Sequence, residues 1–494
     1  MNLSLFVPEL ILAGAAIAVI LLDLFVRQTA VLRWTAVLAL LASAGVAVTM
    51  WNGGHSPIFN RTLAVDDYAV FFDVLFAGIA VMIILASTGY DEKFTHFKGE
   101  YYALVLIATL GMMLMAAATD LIAIYISLEL TSITLYILVS FLKDRLSTEA
   151  SLKYLLLGAI ASAVLLYGMA FIFGTTGQTQ LIEIARAINV SFGSGAITPA
   201  LWLGITFLVA GFGFKIAAVP FHMWVPDVYE GAPTTVTAFL SVGSKAAGFA
   251  VIMRVFVSSF GGQVALLEDW GMIFAVLAVL TMVAGNVMAI PQVNIKRLFG
   301  YSSIAQAGYL MVGLAAIGVG GHGLTSSLGL FSLTQGESSI MFFLAAYALT
   351  NLAAFVTIIV ISGKLGSDAI ADYAGMGKRS PWLALALTLA LISLTGIPPA
   401  AGFMGKFYIF SAAAGSDLLW LVVIAAINSV ISAFYYLRVV KVMWFDEAPS
   451  REKITTPALP GIAIFLCSLG VLALGIIPGA LMRLAEYAAM MVSF

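Results

Sequence analysis

The sequence predicts an all-α polytopic membrane protein with about 14 transmembrane helices, including two inverted five-helix repeats that each contain a discontinuous helix. Three observations carry that prediction. Of the 494 residues, 62% are hydrophobic and only 10% charged, whereas soluble domains are roughly 25% charged. Apolar runs of about 20 residues, long enough to cross a hydrocarbon core of about 30 Å, recur along the whole chain. Two of those runs are interrupted by prolines, hold a lysine, and stand five spans apart.

The N-terminal segment, 1–100, holds the runs 5–26, 32–51 and 68–88. The first is too long for the apolar stretch of a cleaved signal and flows into further sequence, so it is expected to remain as a span. The first repeat, 101–257, holds 101–118, 120–142, 151–174, 199–225 and 233–257. The second, 270–444, holds 270–291, 297–318, 338–362, 382–416 and 417–444. A last run, 457–483, lies in the C-terminal segment 457–494. All are apolar on every side, unlike the alternating strands of a membrane barrel.

Run 382–416 has about 35 residues, or roughly 52 Å as continuous helix, which overshoots the bilayer. Gly396, Pro398 and Pro399 supply a break, as Pro220 does in 199–225. Proline removes a backbone donor and crowds the preceding turn. In lipid, the freed carbonyls need partners inside protein or beside water. Five spans is an odd number, so the second copy enters the membrane from the opposite side. That is the inverted-repeat plan of many secondary transporters.

Loop cations set the orientation. With the N-terminus outside, the inward loops hold Arg27, Arg33, Lys93, Lys98, Lys143, Arg145, Lys296, Arg297, Lys364, Lys378, Arg379, Lys441, Arg451 and Lys453. The outward loops hold Arg61, Arg186 and Arg483. Both termini are therefore expected on the outer side. A net charge of −2 gives no basic field for nucleic acid; the expected environment is the lipid bilayer. The single cysteine, Cys467, excludes a disulfide framework, a thiolate zinc site and a Cys-ligated iron–sulfur cluster. His55, His96, His222 and His322 lie in or beside polar breaks, which argues against paired haem ligation in the membrane. No redox cofactor is expected in this chain.

Six cations fall within spans. Arg254 and Arg438 lie near span ends and are expected to snorkel; Lys153, near the start of its span, can do the same. Lys245 is about 11 residues from either end, roughly 16 Å deep, beyond the reach of its stem. A charge there costs about 2.5–3.5 kcal/mol or more. A structural ion pair and a station on an ion path both answer that cost. Glu129 is similarly deep, either a fixed counter-ion for one lysine or a gating charge. Lys215 and Lys406 each sit beside a helix break, where transporters hold their ions. His222, two residues after Pro220, reads as a helix-end residue or a secondary relay candidate.

The stretch FGFKIAAVPFHMWVPDVYEGAPTTVTAFLSVGSKAAG, residues 212–248, resembles the signature of the antiporter-like subunits of respiratory complex I. The same family includes the large subunits of Mrp-type cation/proton antiporters. The resemblance runs over nearly the whole chain. It is closest to bacterial members that keep three N-terminal spans, carry lysine rather than glutamate in the second broken helix, and have no lateral-helix extension after the fourteenth.

By position, the resemblance implies proton-translocation roles for Glu129 of the fifth helix, Lys215 of the broken seventh, Lys245 of the eighth and Lys406 of the broken twelfth. Lys153 resembles a sixth-helix lysine on the same polar axis. It implies a subunit of NADH–quinone oxidoreductase in a bacterial inner membrane, with neighbouring antiporter-like subunits as partners. NADH, FMN, iron–sulfur clusters and quinone belong to other subunits. Protons would enter from inside, reach Lys215 and Lys245, follow a hydrated midplane axis and leave near Lys406. The rival reading is an Mrp-type cation/proton antiporter subunit without redox coupling.

Overall fold

The computed structural model describes residues 3–492 apart from 27, 55, 95–96, 194–197, 263, 321–334 and 449–452. Arg27, His55, His96, His322 and Arg451 lie outside the described residues. The helices of the N-terminal segment are α1 (Val7–Phe25), α2 (Thr29–Thr49) and α3 (Asp67–Ala86). A hairpin of β1 (Ser56–Ile58) and β2 (Leu63–Val65) joins α2 to α3, with Ser56 opposite Val65. Then come α4 (Lys98–Ala117), α5 (Leu121–Val139), α6 (Arg145–Thr176), α7 (Leu181–Gly193), α8 (Pro199–Ile216), α9 (Trp224–Gly231), α10 (Thr234–Phe239) and α11 (Lys245–Phe260). The second half holds α12 (Val264–Ala289), α13 (Ile295–Gly320), α14 (Gln335–Leu365), α15 (Met376–Arg379), α16 (Pro381–Thr395), α17 (Ala401–Gly415) and α18 (Leu419–Phe445). α19 (Ala458–Ile476) and α20 (Gly479–Ala489) close the chain.

Local chemistry starts these helices where the polar residues stand. Asp66, Asp120, Asp144 and Thr198 each accept a first-turn backbone N–H, opening α3, α5, α6 and α8. Pro8, Pro199 and Pro381 occupy first turns, where a backbone N–H has no helical partner. Among the described residues, thirteen helices are long and apolar enough to cross a membrane. The remaining crossing is the pair α16 and α17, split by the break expected near Pro398. All fourteen apolar runs are therefore helical.

Length and apolarity say nothing about helices that do not cross. Residues 175–198, a connection between two predicted spans, hold α7. The single span predicted for 457–483 is divided, because Pro478 separates α19 from the shorter α20. The β1–β2 hairpin was likewise unforeseen.

Burial separates the centre from the rim. The apolar window of Thr234–Phe260 is 100% buried, that of α14 94% and that of α13 89%; those of α6 and α18 are only 28% and 33% buried. α6 and α18 thus present Leu156, Ile160, Val430 and Phe434 outward, a surface suited to lipid or a neighbouring membrane subunit. Lipid is as apolar as leucine, so close approach rather than water exclusion binds helices together. α12 and α13 show this at Gly271 and Gly318: a Cβ on Gly318 would lie 2.4 Å from the Gly271 Cα.

Arg254 does not snorkel. Its guanidinium is fully buried and pairs with Asp66 through contacts of 2.6 and 3.0 Å. Its remaining donors reach the Ala116 carbonyl at the end of α4, and the Tyr68 ring lies 4.6 Å away. A carboxylate 188 residues earlier in the chain supplies locally what water would otherwise have supplied. Arg438 is half-buried and donates to the Ile290 and Gln292 carbonyls just beyond α12.

Candidate functional site

The first break falls between α8 and α9. Ala217 adopts a left-handed conformation, with φ 64°, and ends α8. The backbone groups this frees find partners inside the protein, as an interrupted membrane helix requires. The Val219 N–H donates to Thr281 Oγ1 of α12 at 2.9 Å. The Phe214 carbonyl accepts from Trp224 Nε1 at 3.1 Å. Lys215, in the last turn of α8, is 4% exposed, and its ammonium donates to Ser132 Oγ of α5 at 2.9 Å.

Lys245 follows a π-helical turn, Leu240–Ser244, that joins α10 to α11. Such turns widen a helix and leave backbone groups available. The buried ammonium donates to both the carbonyl and the hydroxyl of Ser303 on α13. Ser303 Oγ is also 3.0 Å from the Tyr229 hydroxyl of α9. Gly248, one turn beyond Lys245, makes room for Lys215: a Cβ there would be 3.3 Å from Lys215 Cγ. The stem of Lys215 thus packs against α11 one turn beyond Lys245, while the two ammonium groups bond different helices.

The second break separates α16 from α17. Here the lysine lies after the interruption and reaches back across it. Lys406 Nζ donates to the Leu394 and Thr395 carbonyls at 3.0 Å each, and to Ser429 Oγ of α18 at 2.8 Å. Those two carbonyls are the last of α16, where the helix dipole favours a cation. Gly396 makes the approach possible, with φ +90° and an imagined Cβ 3.0 Å from Lys406 Cδ. Gly396→Ala is therefore expected to destabilise the second half by about 1–2 kcal/mol and to displace the Lys406 ammonium. A lowered melting temperature of the purified protein together with reduced proton transfer would check it; an unaltered melt would refute the strain.

α13 joins these stations through residues the sequence reading did not single out. Ser302, Ser303, Gln306 and Tyr309 recur at three- to four-residue spacing, and all are buried. Ser303 holds Lys245. Ser302 bonds the Tyr436 hydroxyl, and Gln306 Nε2 donates to the Leu394 carbonyl at 3.1 Å. The Tyr309 ring lies 4.4 Å from Lys406 Nζ. Asn286 of α12 donates to the Tyr309 hydroxyl at 3.3 Å and to Asn428 at 3.2 Å, and accepts from Tyr435 at 2.9 Å. A buried row of hydroxyls and amides therefore runs from Lys245 to Lys406. Only its periodicity within 297–318 could have announced it.

The other candidates sit beside this row. Glu129 of α5 is half-buried and accepts from Ser162 of α6. Ser132, the Lys215 acceptor, is one turn further along the same helix. Among the described residues, no carboxylate lies within 4.0 Å of the Lys215, Lys245 or Lys406 ammonium. Lys153 lies apart, with a side chain 44% exposed and paired at 2.9 Å with both Glu149 and Asp227. Asp227 of α9 also binds Arg297 of α13 at 2.8 Å, so this network ties α6, the far side of the first break and α13 together. His222 is half-buried within the first break, and its Nδ1 has no hydrogen-bond partner among the described residues.

A family model for the transmembrane part of NADH:quinone oxidoreductase and Mrp antiporters matches residues 118–432. The NADH-quinone oxidoreductase subunit N of Dehalococcoides mccartyi is 47% identical over 489 residues, covering 98% of this chain and 99% of that protein. The subunit N of Heliobacterium modesticaldum is 42% identical over 495 residues, 99% of each. A chain in the structure of respiratory complex I from Thermus thermophilus with bound aureothin is 31% identical with a TM-score of 0.80, covering 96% of this chain and 98% of that one. A chain of the Mrp complex from Dietzia, 19% identical, shares the fold with a TM-score of 0.85 over 99% and 97%. On the match to more than half its length and on these full-length identities, the chain belongs to the NADH:quinone oxidoreductase/Mrp antiporter transmembrane family.

Proposed function

We propose that the chain is a proton-translocating subunit of a bacterial NADH–quinone oxidoreductase, of the N type, driven by electron transfer in other subunits. One observation supports this above the rest. Three buried lysines, at two helix breaks and a π-helical turn, are held by hydroxyls and carbonyls rather than by carboxylates. A lysine so held can release its proton without stranding a partner anion, and a hydroxyl can turn from acceptor to donor as the amine changes state. A fixed ion pair, such as Arg254 with Asp66, cannot do this.

In this reading Lys153 and its Asp227 network stand at the inward mouth. Protons pass to Lys215 and Lys245, follow the polar face of α13 and leave from Lys406. Glu129 sets the charge near Lys215 from one turn away, and His222 is a secondary relay at the first break. The two five-helix units, 101–257 and 270–444, supply one broken helix each, flanked by 1–100 and 457–494. NADH, FMN, iron–sulfur clusters and quinone belong to partner subunits, and neighbouring antiporter-like subunits cover part of the apolar rim. The setting is the bacterial inner membrane, with both termini on the periplasmic side.

The test is Lys406→Ala in the complete complex. Quinone-linked proton pumping is expected to fall at least about tenfold, equivalent to about 1.4 kcal/mol in a rate-limiting barrier. NADH oxidation by an artificial acceptor should persist. Lys406→Glu is expected to keep part of the pumping, since it retains a titratable group at the same break. Normal pumping in Lys406→Ala would overturn the reading. Because the family also spans Mrp antiporters, the subunits co-purifying with the native protein decide between the two settings: redox subunits support this proposal, and a redox-free assembly supports cation/proton exchange.

A further inference from the structure

We propose that a cleft between the end of α3, the end of α14 and the start of α19 binds the headgroup of an anionic phospholipid of the inner leaflet. The cleft holds about 490 Å³, within the roughly 300–1,000 Å³ of small-ligand sites. Three segments far apart in the chain supply its wall, within 88–93, 359–364 and 457–460. α3 ends at Ala86, α14 ends at Leu365 and α19 begins at Ala458, so the cleft lies where three spans reach one membrane surface. That surface is the inner one in the orientation of the proposed function, and the choice of leaflet rests on that reading.

The lining divides by chemistry. Ile359, Val360 and Pro460 make one part apolar, and Lys93 and Lys364 bring two cations to another. Both lysines are exposed, and among the described residues neither has a carboxylate within 4.0 Å. Lys93 Nζ lies 4.5 Å from the centre of the Tyr90 ring, a cation–π contact. Tyr90 also lines the cleft, and it is anchored: its hydroxyl accepts from the Thr234 N–H at the start of α10, at 3.1 Å. Thr88 Oγ1, in the same wall, is buried without a hydrogen-bond partner. Gly89 and Gly363 leave the wall open, since a Cβ on either would meet nothing within 4 Å. The sole acid in the lining, Glu92, is exposed. Two cations against one anion keep the cleft net positive.

A phosphodiester matches this lining. Its negative charge answers the two ammonium groups, and its oxygens accept from the Thr88 hydroxyl, which otherwise has no bond to make. Free phosphate would satisfy the same groups but leave Ile359, Val360 and Pro460 facing water. A lipid covers both parts at once, its phosphate on the lysines and its glycerol and first chain carbons on the apolar wall. The inner leaflet is the anionic one, and basic pockets between spans at that surface are where such headgroups bind.

The experiment is photo-crosslinking in the intact complex. The delipidated complex is returned to phosphatidylcholine vesicles that contain a trace of phosphatidylglycerol with a photoreactive group near its headgroup, and labelled peptides are mapped by mass spectrometry. Label is expected within 88–93 or 359–364, displaced by unlabelled phosphatidylglycerol and not by inorganic phosphate. Lys93→Gln and Lys364→Gln should each weaken labelling about fivefold, the effect of one cation near an anionic membrane surface. Glu92→Gln should strengthen it. Gly363→Leu should abolish it without changing any charge, because its side chain enters the cleft and not the core. These positions are exposed, so the complex is expected to assemble in each case. Proton pumping is not the readout, so failure here is distinguishable from failure of the proposed function. Unchanged labelling in the Lys93→Gln/Lys364→Gln double variant would overturn the proposal. So would equal labelling by photoreactive phosphatidylcholine, displacement by inorganic phosphate, or no label in either segment.

Discussion

Lys215→Ala is expected to leave the complex assembled while slowing proton pumping and coupled NADH-to-quinone turnover by at least about tenfold, or about 1.4 kcal/mol. Removing the ammonium takes one donor from Ser132, and that hydroxyl can still turn to a neighbouring acceptor, so assembly should survive. NADH oxidation by an artificial acceptor should be unaffected, because no electron-transfer ligand is assigned to this chain. Lys215→Arg separates a charge from a titratable group. Guanidinium remains protonated at any accessible pH, so arginine restores the positive charge and still fails to pump. Glu129→Gln should act in the same direction but more weakly. Glu129 bonds Ser162 rather than Lys215, so its influence on the lysine is one of field and not of contact. Pumping and quinone-reductase rates in membranes, with subunit amounts measured by blotting, test all three. Full activity in Lys215→Arg would show that charge alone suffices there and would end the relay role.

What the sequence disclosed follows from which properties are local. Spans are legible because length and apolarity belong to one segment. The breaks at Pro220 and Pro398 are legible because proline acts on its own turn. The depths of Lys215, Lys245 and Lys406 follow from counting residues. Their partners do not. Ser132 lies 83 residues from Lys215, Ser303 58 residues from Lys245, and Asp66 188 residues from Arg254. Side chains so distant are brought together only by helix packing, which composition does not encode. Arg254 shows the consequence. Near a span end, snorkelling was the economical expectation, and only the position of Asp66 at the start of α3 reverses it. The α13 stripe is intermediate. Its polar residues show helical spacing in the sequence, but whether they face lipid, a partner or the core is fixed only by the burial of α13.

Arg254→Ala is expected to cost about 3–5 kcal/mol of stability. Breaking a buried ion pair leaves an uncompensated charge in a medium that cannot solvate it. Asp66 would lose both guanidinium contacts, and the Ala116 carbonyl at the end of α4 would lose its two donors. Asp66 would still cap the Ala69 N–H, which cannot neutralise a carboxylate at 1% exposure. The pair links the start of α3 to α11, which also carries Lys245, so its loss should loosen the N-terminal segment from the first repeat. Asp66→Ala should be at least as damaging, since it strands the guanidinium and removes a helix cap. Replacing both partners, as in Arg254→Met with Asp66→Ser, leaves neither charge and retains a capping hydroxyl, so it should be milder than either single substitution. Melting temperatures and the amount of the chain retained in membranes measure the effect. Equal stability of Arg254→Ala and wild type, or a double variant worse than both singles, would mean that the pair does not hold these helices together.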